Sequence, residues 1–577
     1  MEGHYTSEKT IQILIALLKA HNIKQVVISP GTTNVTLVGS IQSDPFFKCY
    51  SSVDERSAAY IATGLAAETG EPVALSCTGA TASRNYYPGL TEAYYRNLPV
   101  LALTSSQVFS HTGNYFPQML DRTVTANDIV KHSVSISTIK DADDEWDVTN
   151  KINVALLELR RNGGGPVLIN YAQSYSADFS VKELPSVKTI RRVTYNEEFP
   201  ELPKGRIAIY AGSHEKWSLK LTEYVNEFCK NHNAVVFGDH TGNYKGEYKV
   251  LSSLFGSQDN ARPSCLTADL IIYIGYVSGE YTALNSKKVW RVNPDGELRN
   301  VFKNTEYIFQ MKEEDFFEKY KNGSVKENEY IKECKAEYKK VFDKIPELPF
   351  GNIWCAKQMS SKLPENSVLH LGILNTLRSW NFFDIPDSVN AYSNVGGFGI
   401  DGDISSLIGA SLAHPEKLYI GILGDLAFFY DMNVVGNHIV QNNVRIMLVN
   451  NGRGTEFRNY NHPAEKFGEV ADRFMAAAGH FGKKSHELIK HYAQDLGYEY
   501  LTASTKEEFL ANYEKFLSPE LTEKPILFEV FTNSDEESEA LRLIRNIETD
   551  ASTTAKHLIK NVIGQEGVSK IKKLLGK

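Results

Sequence analysis

Short runs of consecutive apolar residues, each stopped by a glycine, asparagine or proline-bearing turn, alternate along the chain with stretches whose apolar residues fall three and four apart. The first pattern predicts buried strands and the second predicts helices. It is clearest between residues 418 and 457. An apolar run over 418–423 is stopped by Gly424-Asp425, and a second run over 446–449 is stopped by Asn450-Asn451-Gly452. Between them Phe428, Phe429, Met432, Val435, Ile439 and Val440 recur at helical spacing, so the stretch predicts a strand-helix-strand unit with parallel strands.

The rest of the chain repeats this alternation. Thr6, Ser7 and Glu8 ahead of Ile11, Leu14, Ile15 and Leu18 predict a capped amphipathic helix. Strands are expected at 26–28, 73–76, 98–104 and 167–169, with a polar turn at 78–84. Asp54-Glu55 opens a helix bearing Ala58, Ala59, Ala62, Gly64 and Ala66, small residues that let another surface approach closely. Residues 176–204, polar and carrying Pro185, Pro200 and Pro203, read as a linker. Strand-like runs at 207–210, 234–237 and 270–274 suggest a smaller α/β domain, followed by a charged helix over 325–344 as a second linker. A glycine-rich turn within 391–413 opens a small-residue helix, and a last strand is expected at 526–531. The expected fold is α/β, with three doubly wound parallel-sheet domains at 1–180, 205–325 and 346–535 and a helical tail at 536–577. Gly212, Gly275 and Gly279 form no GxGxxG array, so the middle domain reads as structural.

In this pattern Asp425 and Asn451 both fall at strand C-terminal ends, the rim where doubly wound sheets bind ligands, next to a helix N-terminus that favours phosphate. A carboxylate and a carboxamide suit magnesium, which completes its shell with substrate phosphates and water. The bland reading is a helix-capping aspartate and an asparagine turn.

Gly424-Asp425 followed one strand-helix-strand unit later by Asn450-Asn451 resembles the metal-diphosphate motif of thiamine-diphosphate (ThDP) enzymes. Leu426 departs from the motif's third glycine, and with Asp431-Met432-Asn433 it is similar to the menaquinone-pathway synthase branch, which joins 2-oxoglutarate to isochorismate. The resemblance implies that Asp425, the Asn451 side chain and the Arg453 carbonyl hold Mg2+, and that Gly424, Leu426 and Ala427 flank the diphosphate. Asp54-Glu55-Arg56, with Thr78-Gly79-Ala80-Thr81-Ala82 and Asn85, resembles the pyrimidine-binding domain of the same branch. Glu55 is then implied to hydrogen-bond the pyrimidine ring and promote proton loss from the thiazolium C2, a tuned acid serving a cofactor that carries the chemistry. Without the resemblance, Glu55 reads as a first-turn carboxylate favoured by the helix dipole. Gly399 and Ile400 resemble the segment whose branched residue props the cofactor in its bent form. In that family the pyrimidine domain of one subunit faces the diphosphate domain of another, which implies a homo-oligomer, a dimer or tetramer, with active sites between subunits.

Composition narrows the remaining choices. The 577 residues are 42% hydrophobic and 23% charged, a globular balance, and a net charge of -8 with dispersed basic residues argues against nucleic acid. Cys49, Cys77, Cys229, Cys265, Cys334 and Cys355 lack CxxC spacing and read as reduced core residues, which suits the cytoplasm. No export signal or bilayer-spanning run is read, and the Lys570–Lys577 basic end is expected to be a solvated or docked helix rather than a membrane contact.

The substrate reading rests on departures from the synthase branch. Thr32-Thr33 stand where it has serine and arginine, the 105–109 segment lacks its arginines, and Val395 replaces another. Isochorismate is therefore not expected as acceptor. Gln118 aligns with a pocket glutamine, Arg378 stands near a family arginine in a shifted frame and is the candidate to grip a donor carboxylate, and Thr32, Arg84 and His111 are further substrate candidates. The expected reaction decarboxylates a 2-oxo acid, pyruvate ahead of 2-oxoglutarate, and transfers the acyl carbanion to a polar, hydroxyl-bearing aldehyde or ketone. The alternatives are a simple decarboxylase, a carbon-carbon hydrolase, or a non-enzymatic scaffold, the last opposed by the intact Glu55, Asp425 and Asn451.

Overall fold

The computed structural model describes residues 4–279, 283–324, 327–479 and 485–549. They fall into two compact units, 1–199 with 293–311, and 200–292 with 312–577.

In the first unit the apolar runs become a six-stranded parallel sheet of β1 (Gln25–Ile28), β2 (Lys48–Ser51), β3 (Val73–Cys77), β4 (Val100–Ser106), β5 (His132–Ile136) and β6 (Val167–Ala172). Their order is β2-β1-β3-β4-β6-β5. Alternate side chains of the buried strands serve opposite layers, as a period of two requires. Leu101 and Leu103 of β4 join Ile11, Leu14 and Leu18 of helix Lys9–Ala20 on one face. Val100 and Ala102 join Ala58, Ala59 and Ala62 of helix Glu55–Thr69 on the other. Both faces are covered, so the central strands read as continuous apolar runs.

Three local expectations are corrected. Helix Lys9–Ala20 starts after Glu8 without a side-chain cap, because the Glu8 carboxylate instead accepts from the backbone N–H groups of Ser174 and Ser176, both at 2.9 Å. The 78–84 turn is largely helix Ala80–Asn85. The 176–204 linker contains β7 (Arg191–Thr194), and Val181 within it bridges to Tyr5. The surface that approaches the small-residue helix is the chain's own helix Tyr87–Tyr95, where a Cβ at Gly89 would meet the Ala59 Cβ at 2.5 Å.

The second unit begins its sheets with β8 (Ile207–Ala211), β9 (Ala234–Phe237), β10 (Lys249–Val250), β11 (Leu270–Ile274) and β12 (Val289–Asn293), in the order β10-β9-β8-β11-β12. β13 (Thr305–Gln310) pairs in parallel with β7 in the first unit. The charged linker helix is narrower than expected, Glu329–Phe342, capped by Asn328. The last sheet comprises β14 (Val368–Leu371), β15 (Asn390–Tyr392), β16 (Tyr419–Gly424), β17 (Val444–Asn450), β18 (Glu499–Ala503) and β19 (Ile526–Phe531), ordered β15-β14-β16-β17-β19-β18. All its pairings are parallel. The molecule is thus built from three parallel-sheet α/β layers. Of the predicted tail, the described part is helix Ser534–Arg545, with Leu541 and Ile544 buried; residues 570–577 lie outside the described residues. Among the described residues no helix is long and apolar enough to cross a membrane.

Candidate active site

β16 ends at Gly424 and helix Asp425–Val435 begins on the next residue. β17 ends at Asn450, so Asn451 leaves the same rim of the sheet. The cleft there is lined by Ile400, Gly424, Asp425, Leu426, Ala427, Asn451 and Arg453. Seven residues chosen from separate sequence segments therefore share one cavity. Gly399 precedes Ile400 and lies against Asp401, whose Oδ1 a Cβ at 399 would meet at 2.4 Å.

Asp425 is 3% exposed. Burial, with a smaller contribution from the Glu537 charge, pushes its carboxyl up to about 7. Among the described residues no cation forms an ion pair with it. Asn451 donates through Nδ2 to Glu537 Oε1 at 3.4 Å, which turns its Oδ1 towards the Arg453 N–H at 3.3 Å. Glu537 itself is buried and accepts from Thr532 Oγ1 at 2.5 Å and Asn375 Nδ2 at 2.8 Å. Burial raises its carboxyl too. An anion in want of a cation, beside an oriented amide oxygen, fits a hard divalent ion that draws its remaining ligands from phosphate and water. Among the described residues no group of three His, Cys, Asp or Glu side chains forms a self-sufficient metal cluster. The donor set fits magnesium held jointly with a diphosphate.

Two acids that the apolar pattern did not mark also belong here. Glu537 rides on the charged terminal helix read as a tail. Asp403, in the first turn of helix Asp403–Ser411, lines the cleft, and its carboxyl is pushed up to about 7 by burial and then by Asp431 and Asp401. Its Oδ1 accepts from Asn394 at 3.2 Å, while its buried Oδ2 has no partner.

In the first unit Asp54, not Glu55, caps the helix, accepting from the Arg56 and Ser57 N–H groups at 3.3 and 3.1 Å. The Glu55 carboxylate is thereby released from capping and meets Asn85 Nδ2 at 3.5 Å. Thr32 opens a short turn, and its neighbour Thr33 bonds Ser105 Oγ through Oγ1 at 2.5 Å. Arg84 donates to the Asp121 carbonyl at 3.0 Å. His111 stacks on Phe116 at 4.0 Å, and exposed Gln118 holds a φ of 66°. Beneath this rim lies Arg122, 7% exposed. Its Nη2 donates to the Ser105 carbonyl at 3.2 Å and its buried Nη1 has no partner. Burial pushes its pKa down, and among the described residues it forms no ion pair. Nothing in the 107–122 sequence, where Val108, Phe109, Tyr115, Phe116, Met119 and Leu120 fall without helix or strand period, distinguishes Arg122 from a surface arginine.

Back in the second unit, Arg378 spends both terminal nitrogens on Glu456, Nη1 to Oε2 and Nη2 to Oε1, each at 2.9 Å. Val395 is buried, and a Cβ placed on Gly279 would meet it at 2.8 Å.

Residues 8–125 match the family described as thiamine pyrophosphate enzyme, N-terminal TPP binding domain. Over its length the chain is similar to proteins named 2-succinyl-5-enolpyruvyl-6-hydroxy-3-cyclohexene-1-carboxylate synthase. It is 30% identical to the one from Bacteroides thetaiotaomicron over 565 residues, covering 93% of this chain and 98% of the relative. The Bacteroides fragilis protein is 30% identical over 562 residues, with 93% and 98% covered. The Flavobacterium johnsoniae protein is 27% identical over 573 residues, with 92% and 97% covered. With the diphosphate-type cleft, the Glu55 helix and this full-length similarity in hand, the chain belongs to the 2-succinyl-5-enolpyruvyl-6-hydroxy-3-cyclohexene-1-carboxylate synthase family of thiamine-pyrophosphate enzymes.

Proposed function

We propose that this enzyme uses ThDP and Mg2+ to decarboxylate a 2-oxo acid and join the acyl fragment to a polar aldehyde or ketone. The observation that carries the reading is the single cleft at the ends of β16 and β17 that gathers Ile400, Gly424–Ala427 as one turn, Asn451 and Arg453 from separate segments. Asp425 and Asn451 would hold the metal with the Arg453 carbonyl, and Gly424, Leu426 and Ala427 would flank the diphosphate. The cofactor, when bound, supplies the electron sink that a 2-oxo acid needs in order to lose carbon dioxide. Glu55, freed from capping by Asp54, would hydrogen-bond the pyrimidine ring and hold a proton there. Glu537 keeps the Asn451 amide oriented.

The reaction balances as a 2-oxo acid anion, a proton and a carbonyl acceptor giving a 2-hydroxy ketone and carbon dioxide. One carbon-carbon bond breaks, one forms at the acceptor carbonyl carbon, and the acceptor oxygen takes the proton. Pyruvate is placed ahead of 2-oxoglutarate as donor, since Arg378 is already paired and Val395 carries no charge. Isochorismate is not the expected acceptor, because Thr32-Thr33, the 105–109 segment and Val395 lack arginines of the synthase branch. The enzyme is expected to be a homo-oligomer whose active sites draw Glu55 and Asp425 from different subunits, acting in the cytoplasm. Calorimetry with ThDP and Mg2+, followed by carbon dioxide release across a panel of 2-oxo acids, tests the reading. Failure to bind ThDP with magnesium overturns it, and efficient turnover of 2-oxoglutarate with isochorismate overturns the substrate choice.

A further inference from the structure

Within the second unit the turn Ser264–Leu266 packs against the linker helix Glu329–Phe342. Tyr330, Glu333 and Cys334 fall three and four apart, so they share one face of that helix. This face meets the turn. Tyr330 Oη donates to the Cys265 carbonyl at 2.7 Å, and Ser264 Oγ donates to Glu333 Oε1 at 2.7 Å. Arg206 clamps the same junction, bonding the Ser264 carbonyl at 3.0 Å and Glu333 Oε2 at 2.5 Å. With 264 bonded to 333 and 265 held from 330, Cys265 and Cys334 are brought thiol to thiol, within hydrogen-bonding reach. They are 1% and 0% exposed.

The helix that carries Cys334 is tied at both ends. At its start Asn328 Nδ2 donates to the Ala234 carbonyl at 2.7 Å and the Tyr330 N–H donates to Asn233 Oδ1 at 3.0 Å, where β9 begins. Farther along, Tyr338 Oη donates to the Phe382 carbonyl at 3.2 Å, between β14 and β15. The helix thus runs from the middle sheet to the last one, and the two thiols sit at its middle-sheet end. The bond to Cys265, and then burial, raise the Cys334 thiol well above the ordinary range. Cys334 therefore keeps its proton, and Cys265 is the sulfur left to act as nucleophile.

We propose that Cys265 and Cys334 are a reversible disulfide site, closed by a peroxide, which staples the linker helix to the middle sheet. The Cys265 thiolate attacks one peroxide oxygen and the O–O bond breaks, leaving a sulfenic acid on Cys265 and, with one proton, a water molecule. The Cys334 sulfur then attacks the sulfenic sulfur. The S–O bond breaks, the S–S bond forms, and the hydroxyl leaves with the Cys334 proton as a second water. Two electrons pass from the two thiols to one peroxide. A thiol reductant reopens the staple by exchange. Tight burial favours an oxidant as small as hydrogen peroxide, and exposed Cys49 is an internal reference for its action. None of the residues at this junction lines the diphosphate-type cleft, so the proposal stands apart from the reaction reading.

The test treats the folded full chain with hydrogen peroxide, then unfolds it, alkylates the remaining thiols and maps the peptides by mass spectrometry. The expected product is a pair of peptides joined through Cys265 and Cys334, two hydrogens lighter than the reduced pair and separated again by dithiothreitol. Cys334→Ser leaves the sulfenic acid without a partner, so dimedone should trap it on Cys265; circular dichroism checks that the variant is folded. The joined pair should form at least tenfold faster in the folded chain than in urea, since the fold is what holds the two sulfurs together. Cys265 and Cys334 still free once Cys49 is fully oxidised, either one joined to a different cysteine, or equal rates folded and in urea would each overturn the proposal.

Discussion

Asp403 offers a test in which the magnitude follows from the fold. Its carboxyl is pushed from the ordinary 3.8 up to about 7, first by burial and then by the Asp431 and Asp401 charges. At 1.36 kcal/mol per pKa unit that interval corresponds to about 4 kcal/mol. Below pH 4 the acid is neutral folded and unfolded, and it costs nothing. Between pH 4 and 7 the unfolded chain ionises while the folded one stays protonated, so the folded state binds more protons and its stability falls as pH rises. Above pH 7 the cost is complete and constant. Asp403→Asn retains an acceptor for Asn394 but buries an amide N–H2 where Oδ2 now has no partner, at a pH-independent cost of about 1 kcal/mol. Urea unfolding of both proteins without cofactor, from pH 4 to 8, should find the variant slightly weaker at pH 4 and about 3 kcal/mol stronger at pH 8. A stability difference that does not change with pH would refute the assignment of a buried, protonated Asp403.

Asp425→Ala should weaken ThDP binding in the presence of magnesium by about 2–5 kcal/mol, the usual penalty for removing one partner of a buried charge pair. Its unfolding midpoint without cofactor should not fall, because the lost carboxylate is buried without a cation; calorimetry and melting read the two effects. Glu55→Gln should still bind ThDP while slowing C2 proton exchange, followed by NMR, by about a hundred- to ten-thousandfold, and an unchanged rate would return Glu55 to a structural role. Arg122→Met removes a buried guanidinium at the cost of its bond to the Ser105 carbonyl and should raise stability in denaturant unfolding without cofactor. Destabilisation instead would mean that the guanidinium is compensated after all.

The sequence revealed most where burial was two-sided. β16, β17 and β19 lie inside the last sheet and their apolar runs predicted them within a residue or two, the final strand at its observed bounds, Ile526–Phe531. β2 and β5 escaped because they are edge strands, KCYS and HSVSI, whose half-exposed positions leave no apolar run to read, whereas β12 and β14, interior strands, escaped because Arg291 and His370 interrupt their short apolar runs. The helix between β16 and β17 ends at Val435, short of Ile439 and Val440, which kept helical spacing in a turn. Asp425 and Asn451 were legible because a strand end announces itself locally. Glu537, Asp403 and the Arg378–Glu456 pair were not, since their importance comes from meeting residues far away in sequence. Arg122 is the extreme case, an arginine in an aperiodic loop whose burial only the folded rim reveals.

The cysteines carry a consequence of their own. Each layer of the molecule encloses a thiol: Cys77 ends β3, Cys229 lies under β9, and Cys355 sits in helix Asn352–Met359 below the last sheet. Burial pushes Cys77 up to about 12 and raises Cys229 and Cys355 well above the ordinary range. With so little thiolate available while folded, alkylation must wait for the surrounding layer to open. Cys265 and Cys334 are buried as well and only Cys49, expected in the core, is exposed; with Cys49 labelling at once, the rates at Cys77 and Cys355 would time the opening of the Glu55 layer against that of the layer holding Asp425.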